Sequence, residues 1–133
     1  MLKIRFVLAV FVASFCAVGC GGPEDSGTYQ LTGTVSYQGA VVPNGNITLI
    51  PNHVKGNRGP GASAAIKGGK FATSPGKGHV GGAYILEIMG YDGVPVPSTE
   101  DPDNIPTPLF PPYRLEVELP KENEDLSVEV PAQ

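Results

Sequence analysis

The sequence predicts an all-β fold, a single antiparallel β-sandwich of about seven short strands. Two observations carry that prediction. Gly and Pro supply 18 and 14 of the 133 residues, a density that long helices do not survive because both residues break them. Several short runs also alternate apolar with polar residues at period two, the pattern of a strand buried on one face. No sustained heptad, no helical period and no internal repeat interrupts this pattern. The absence of a Gly-X-Y period excludes collagen. A net charge of −4 with no extended basic patch excludes a nucleic-acid partner.

Residues 1–19 differ from the rest. Lys3 and Arg5 make a positive head, Phe6 to Phe15 is apolar apart from Ser14, and Ala17, Val18 and Gly19 are compact. Such an order is that of a cleavable secretory signal. A transmembrane helix needs about 20 apolar residues; Phe6 to Val18 is shorter, and Gly21-Gly22-Pro23 ends it. The stretch Ala17-Val18-Gly19-Cys20 resembles the cleavage motif of bacterial lipoprotein signals, with Ala17 where Leu is usual. The resemblance implies a chain that begins at Cys20, its thiol carrying a diacylglyceryl thioether and further acyl chains such as palmitate. Thiolate nucleophilicity is the reason that a cysteine serves there. The expected partner is therefore membrane lipid, in the cell envelope after export across the inner membrane. Gly21 stands where some bacteria read an acidic inner-membrane retention signal, which points to the outer membrane. Ordinary signal cleavage leaving a free Cys20 is the alternative. Cys16 leaves with the signal in either case, so no disulfide framework and no cysteine-based zinc site is expected. Loss of Lys3 and Arg5 leaves 7 basic and 13 acidic residues, a net charge of −6.

Residues 20–27 read as a flexible tether, because Gly, Pro and charged side chains bury no apolar surface. The domain is expected over residues 28–133. Its first strand carries Tyr29, Leu31, Val35 and Tyr37 on one face, with Gly33 between them. Pro43-Asn44-Gly45 has turn chemistry, and the strand after it turns Ile47 and Leu49 inward. Ala62 to Lys67 and Lys70 to Ser74 form a hairpin around Gly68-Gly69. In the next strand Tyr84, Leu86 and Ile88 alternate with Ile85, Glu87 and Met89, so both faces are expected to be partly covered. Seven prolines between Gly93 and Tyr113 leave no room for a strand or helix, and residues 93–112 read as a Pro-rich loop with polyproline character. The last two strands point Leu115, Val117 and Leu119, then Leu126, Val128 and Val130, inward.

The spacing of Gly33, Val35, Gly39, Val42-Pro43-Asn44-Gly45, Ile47 and Leu49, followed by Gly82, Tyr84, Leu86 and Ile88 with Phe71 before them, resembles the carboxypeptidase regulatory-like domain. That family shares the transthyretin-like sandwich. Combined with the signal, the chain is similar to small bacterial lipoproteins carrying such a domain. The resemblance implies a fold and an address, and a fold does not supply a reaction.

Motifs of chemistry are sparse. Gly76 to Gly81 satisfies G-x-G-x-x-G, but a strand-like run follows where a dinucleotide site needs a helix. The two histidines, His53 and His79, lie in Gly-rich loops, where solvated side chains are expected, and neither has a carboxylate at metal-ligand spacing. No catalytic set, metal site or cofactor is therefore expected. A degenerate transthyretin-like hydrolase is the enzymatic alternative; clustering of His53, His79 and a basic residue would favour it. The hydroxyisourate hydrolases of that fold carry a Tyr-Arg-Gly-Ser tail, whereas Tyr113-Arg114 is followed here by Leu115-Glu116. Asp101 and Asp103, within the acidic stretch 100–104, supply hard oxygen donors of the kind that hold calcium. With Tyr91, Phe110 and Tyr113 they mark residues 91–113 as the candidate binding loop, for calcium, an envelope protein or a glycan. Against that, Leu109, Phe110 and Tyr113 simply tuck the loop onto the domain. The resulting expectation is a non-catalytic binding, adhesion or scaffold module.

Overall fold

The computed structural model describes residues 27–93 and 106–133. They form eight strands: β1 (Leu31–Tyr37), β2 (Ala40–Val41), β3 (Asn44–Pro51), β4 (Ala62–Lys67), β5 (Lys70–Ala72), β6 (Gly82–Tyr91), β7 (Tyr113–Leu119) and β8 (Glu124–Val130), with one 3-10 turn at His53–Lys55. The all-β expectation holds for the described residues. Hydrogen bonding links the strands into one sheet in the order β2-β1-β5-β4-β3-β6-β7, with β8 on the other edge of β1.

Every pairing is antiparallel except one. β8 runs parallel to β1 over seven residue pairs, from Leu31 opposite Glu124 to Tyr37 opposite Val130. Chain direction explains this departure from the antiparallel expectation. β7 ends where β1 begins, and the short link Pro120 to Asn123 crosses between the two edges of the sheet. It delivers β8 travelling in the direction of β1. The link is held by Gln30, whose backbone N–H donates to the Asn123 side chain and whose carbonyl accepts from the Glu124 N–H.

The sheet curls so that strands from both of its edges share one core. Leu31 and Val35 of β1, Phe71 of β5 and Val128 and Val130 of β8 meet Ile47 and Leu49 of β3, Ile66 of β4 and Tyr84, Leu86 and Ile88 of β6. Period-two alternation is strict here: the inward residues of β6 are buried, while Ile85, Glu87 and Met89 opposite them are half-covered. Among the described residues β7 and β8 leave one edge each unpaired, and they carry charge on their outward faces, at Arg114, Glu116 and Glu118 and at Asp125 and Glu129. Charged outward residues discourage edge-to-edge pairing.

Glycines set two close approaches. A Cβ at Gly33 would fall 2.1 Å from the Leu126 carbonyl oxygen and 2.8 Å from the Phe71 ring. At Gly45 a Cβ would fall 2.1 Å from the Met89 carbonyl oxygen. Gly45 and Asn44 therefore belong to β3, paired with β6 and β4, and the turn expected at Pro43-Asn44-Gly45 is absent. The chain reverses earlier, at Gln38-Gly39, where φ is 51° and 78°. This pair is a two-residue hairpin turn joining β1 to β2.

Gly33→Ala is expected to destabilise the domain by about 1–3 kcal/mol through overpacking, read as a lower denaturant midpoint at unchanged m-value.

Candidate functional site

The strand directions sort the loops into two ends. At one end lie the first described residues, 27–30, together with loops 52–61, 73–81 and 120–123. At the other lie the β1–β2 turn, Gly68-Gly69, and the two limbs of the Pro-rich segment.

Of the residues that the sequence marks for binding, Tyr91, Phe110 and Tyr113 stand at the second end. The limbs of the Pro-rich segment are tied together: Asp92 N–H donates to the Thr107 carbonyl, Thr107 N–H donates to the Asp92 carboxylate at 2.9 Å, and Leu109 N–H donates to the Gly90 carbonyl. Tyr91 bridges to Pro108 and lines a hollow of about 250 Å³ with Asn44, Asn46, Ala65 and Lys67. Phe110 is not a contact residue on the surface. It is buried in the core, packs its ring 5.0 Å from that of Tyr37, and fills the space that the missing side chain of Gly90 leaves. Tyr113 is half-buried at the start of β7 and packs on the same core. The aromatic pair thus anchors the returning limb, while Tyr91 remains available at the surface. Asp101, Asp103 and Cys20 lie outside the described residues, as do the signal 1–19 and the tether as far as residue 26.

Beside the docked limb sits a groove of about 360 Å³ walled by Tyr37, Gln38, Val41, Pro43 and Leu109, with Asp92 its one charged member. Its make-up, apolar walls with one carboxylate and one amide, suits a small apolar or ring-bearing group. Val41 is 61% exposed there, although apolar. Gln38 is the one non-glycine residue at positive φ among the described residues, and its side-chain amide donates to the Tyr37 hydroxyl at 3.3 Å. Neither Gln38 nor Val41 stands out in the sequence; an exposed β-branched residue reads there as an ordinary strand position. A larger open groove, about 650 Å³, lies on the outer face of β1, β4 and β5 between Thr32, Thr34, Lys67, Lys70 and Asp125.

The histidines part company. His53 is exposed on the 3-10 turn. His79 is fully buried, which corrects the expectation of a solvated loop residue. Its backbone exchanges two hydrogen bonds with Tyr29, and its ring lies 5.8 Å from that of Tyr29 and 6.2 Å from that of Tyr84. Nδ1 accepts the Gly81 N–H at 3.1 Å, so the neutral ring carries its proton on Nε2. Nε2 is buried with no hydrogen-bond partner among the described residues. Burial pushes the imidazole below its ordinary range, and the carboxylate of Glu124 opposes that shift. A ring sealed in this way cannot reach a substrate. No three of His, Cys, Asp and Glu converge on a metal position among the described residues.

In comparison with known proteins, no family model, curated protein or solved structure matches the chain.

Two predictions follow from this geometry. Protonating His79 puts a second N–H against the Gly81 N–H, so the folded state resists the charge that the unfolded state accepts below about pH 6.5. Its contribution to stability is complete above that pH and is lost as pH falls toward the lower folded value. In urea titrations across this range, His79→Gln should flatten the acid-side decline, and an unchanged slope would assign the decline to other groups. Gln38→Asn, which tolerates positive φ better, should raise stability by roughly 0.5–1 kcal/mol, measured as a shift in denaturant midpoint.

Proposed function

We propose that the chain is a lipid-anchored envelope protein, attached through Cys20, whose domain is a transthyretin-like β-sandwich that binds a partner without catalysis. The observation that carries this reading is the separation of the two ends. Tyr29, just before β1, is held by His79 at one end. Tyr91, the tied limbs of the Pro-rich segment and the groove around Val41 stand at the other. An anchor at the first end turns the groove away from the membrane, toward whatever the envelope presents. The sandwich reading is supported by the join between β4 and β5. A single residue pair, Lys67 opposite Lys70, carries the pairing of these two strands, and on this reading β8-β1-β5 and β4-β3-β6-β7 are the two layers over one core.

An apolar groove with one carboxylate fits an extended peptide or a sugar ring, and the proposal is that the domain serves adhesion or scaffolding through such contacts. The sealed position of His79 argues against the hydrolase reading, which needs both histidines beside a basic residue. Outer-membrane placement belongs to the same proposal.

Mass spectrometry of the N-terminal peptide from the membrane fraction should find Cys20 as the first residue, bearing diacylglyceryl and acyl mass; an unmodified Cys20 there refutes the anchor. Pull-downs from envelope extract should then lose their specific partner in Val41→Asp, and equal capture by both proteins would remove the groove from the binding surface.

A further inference from the structure

The end opposite the groove carries a feature that neither the core nor that binding surface explains. Val54 is 98% exposed at the apex of the 3-10 turn His53–Lys55. Apolar side chains at isolated surface positions are common, but this one is held out by a braced turn. The Asn52 side chain caps it by accepting the Lys55 N–H, and Gly56 closes it at φ 84°. Asn57 then fastens the loop by donating to the Gly81 and Ala83 carbonyls. His53, Lys55 and Arg58 flank the apex, and no acidic residue lies between Asn52 and Ala83.

The same end receives the chain. Loop 76–81, to which Asn57 is fastened, is the loop whose His79 bonds Tyr29. Lys77 and Lys121 stand at this end too, and Lys121 lies against Gly81. Lys55 is paired with Glu116, whereas Arg58, Lys77 and Lys121 form no ion pair among the described residues. Glu118, Glu122 and Glu124 are acidic residues of this end that form no ion pair among the described residues, so the basic character belongs to the turn and loop 76–81 and not to the whole face.

Six residues, 21–26, lie between Cys20 and Gly27, and the seven steps of fully extended chain span at most about 25 Å. With Cys20 in lipid, this end is never farther than that from the headgroups. An apolar tip flanked by Lys55 and Arg58, with Lys77 on the loop to which the turn is fastened, has the composition that settles at an anionic membrane surface.

We propose that the Val54 turn docks on the anionic lipid surface beside the anchor and fixes the orientation of the domain. The proposal rests on the anchored reading of Cys20. Docking here orients a molecule that is already attached, so a weak contact suffices, because the tether supplies a high effective concentration.

The test uses the full chain, lipidated and purified from membranes. Val54→Cys gives a single free thiol, since Cys20 is acylated, and it is labelled with a polarity-sensitive fluorophore. Val41→Cys, at the other end, is the comparison. In vesicles of equal parts phosphatidylglycerol and phosphatidylcholine, the label at 54 should shift to the blue and the label at 41 should not. The shift should be lost in pure phosphatidylcholine, in Arg58→Glu, and in about 1 M salt, where the Debye length falls to about 3 Å. Equal emission at 54 and 41, in either direction, overturns the docking. A shift that appears only when envelope protein is added assigns the turn to a protein partner and also overturns it. Failure of the protein to float with any vesicle overturns the anchor itself, and the docking with it.

Discussion

β1 bonds to three strands at once, β5 and β2 along one edge and β8 along the other. It can do so only because Gly33, at its centre, carries no side chain. The Phe71 ring lies across that position from one neighbour, and the Leu126 carbonyl closes on it from another. Remove that freedom and β5 and β8 cannot both seat on β1. The curled sheet would then lose contacts through which β5 and β8 reach the shared core. A strand of seven residues thus sets the curl of the whole domain, and the remaining contacts follow from it.

Local pattern made much of this legible. Alternation alone places β1, β6, β7 and β8 and their inward residues, because period two directly reports which face meets the core. β4 is read with its observed bounds, since Gly68-Gly69 needs positive φ and marks the hairpin. The departures share a cause. Pro43-Asn44-Gly45 has the chemistry of a turn, yet Gly45 is glycine because β6 passes close, and that approach is a tertiary fact. β2 spans two residues and offers no period to read. The parallel pairing of β8 depends on where β7 ends in space. His79 sits among glycines that read as a solvated loop; its burial depends on Tyr29 and Tyr84, which lie 50 and 5 residues away in sequence. In the candidate site, Phe110 and Tyr113 read equally as binding contacts or as packing that tucks the loop onto the domain; that Phe110 fills the gap at Gly90, and that the Gln38–Val41 wall arises from a reversal at Gln38-Gly39 instead of Pro43-Asn44-Gly45, are tertiary facts.

The two ends of the domain are built to different rules. The end that receives the chain is stiffened by polar bonds: Asn52 and Asn57 brace one loop, Gln30 and Asn123 join the first and last strands, and Tyr84 takes the Val80 N–H while donating to the Pro60 carbonyl. The far end combines apolar packing of Tyr37, Val42, Leu109 and Phe110 with backbone hydrogen bonds from Gly68 and Gly69 to the Pro43 and Val42 carbonyls and at the base of the Pro-rich segment.

The parallel register of β1 and β8 also has a mechanical meaning. A load applied between Tyr29 and the far end of β8 runs along these strands rather than across them. The seven registered pairs from Leu31 to Tyr37 then share it in shear. An antiparallel β8 would bring its free end back beside Tyr29, and the same pull would open the ladder one bond at a time, like a zip. By running the last strand alongside the first, the fold presents its strongest direction to tension between Tyr29 and the C-terminal end of β8.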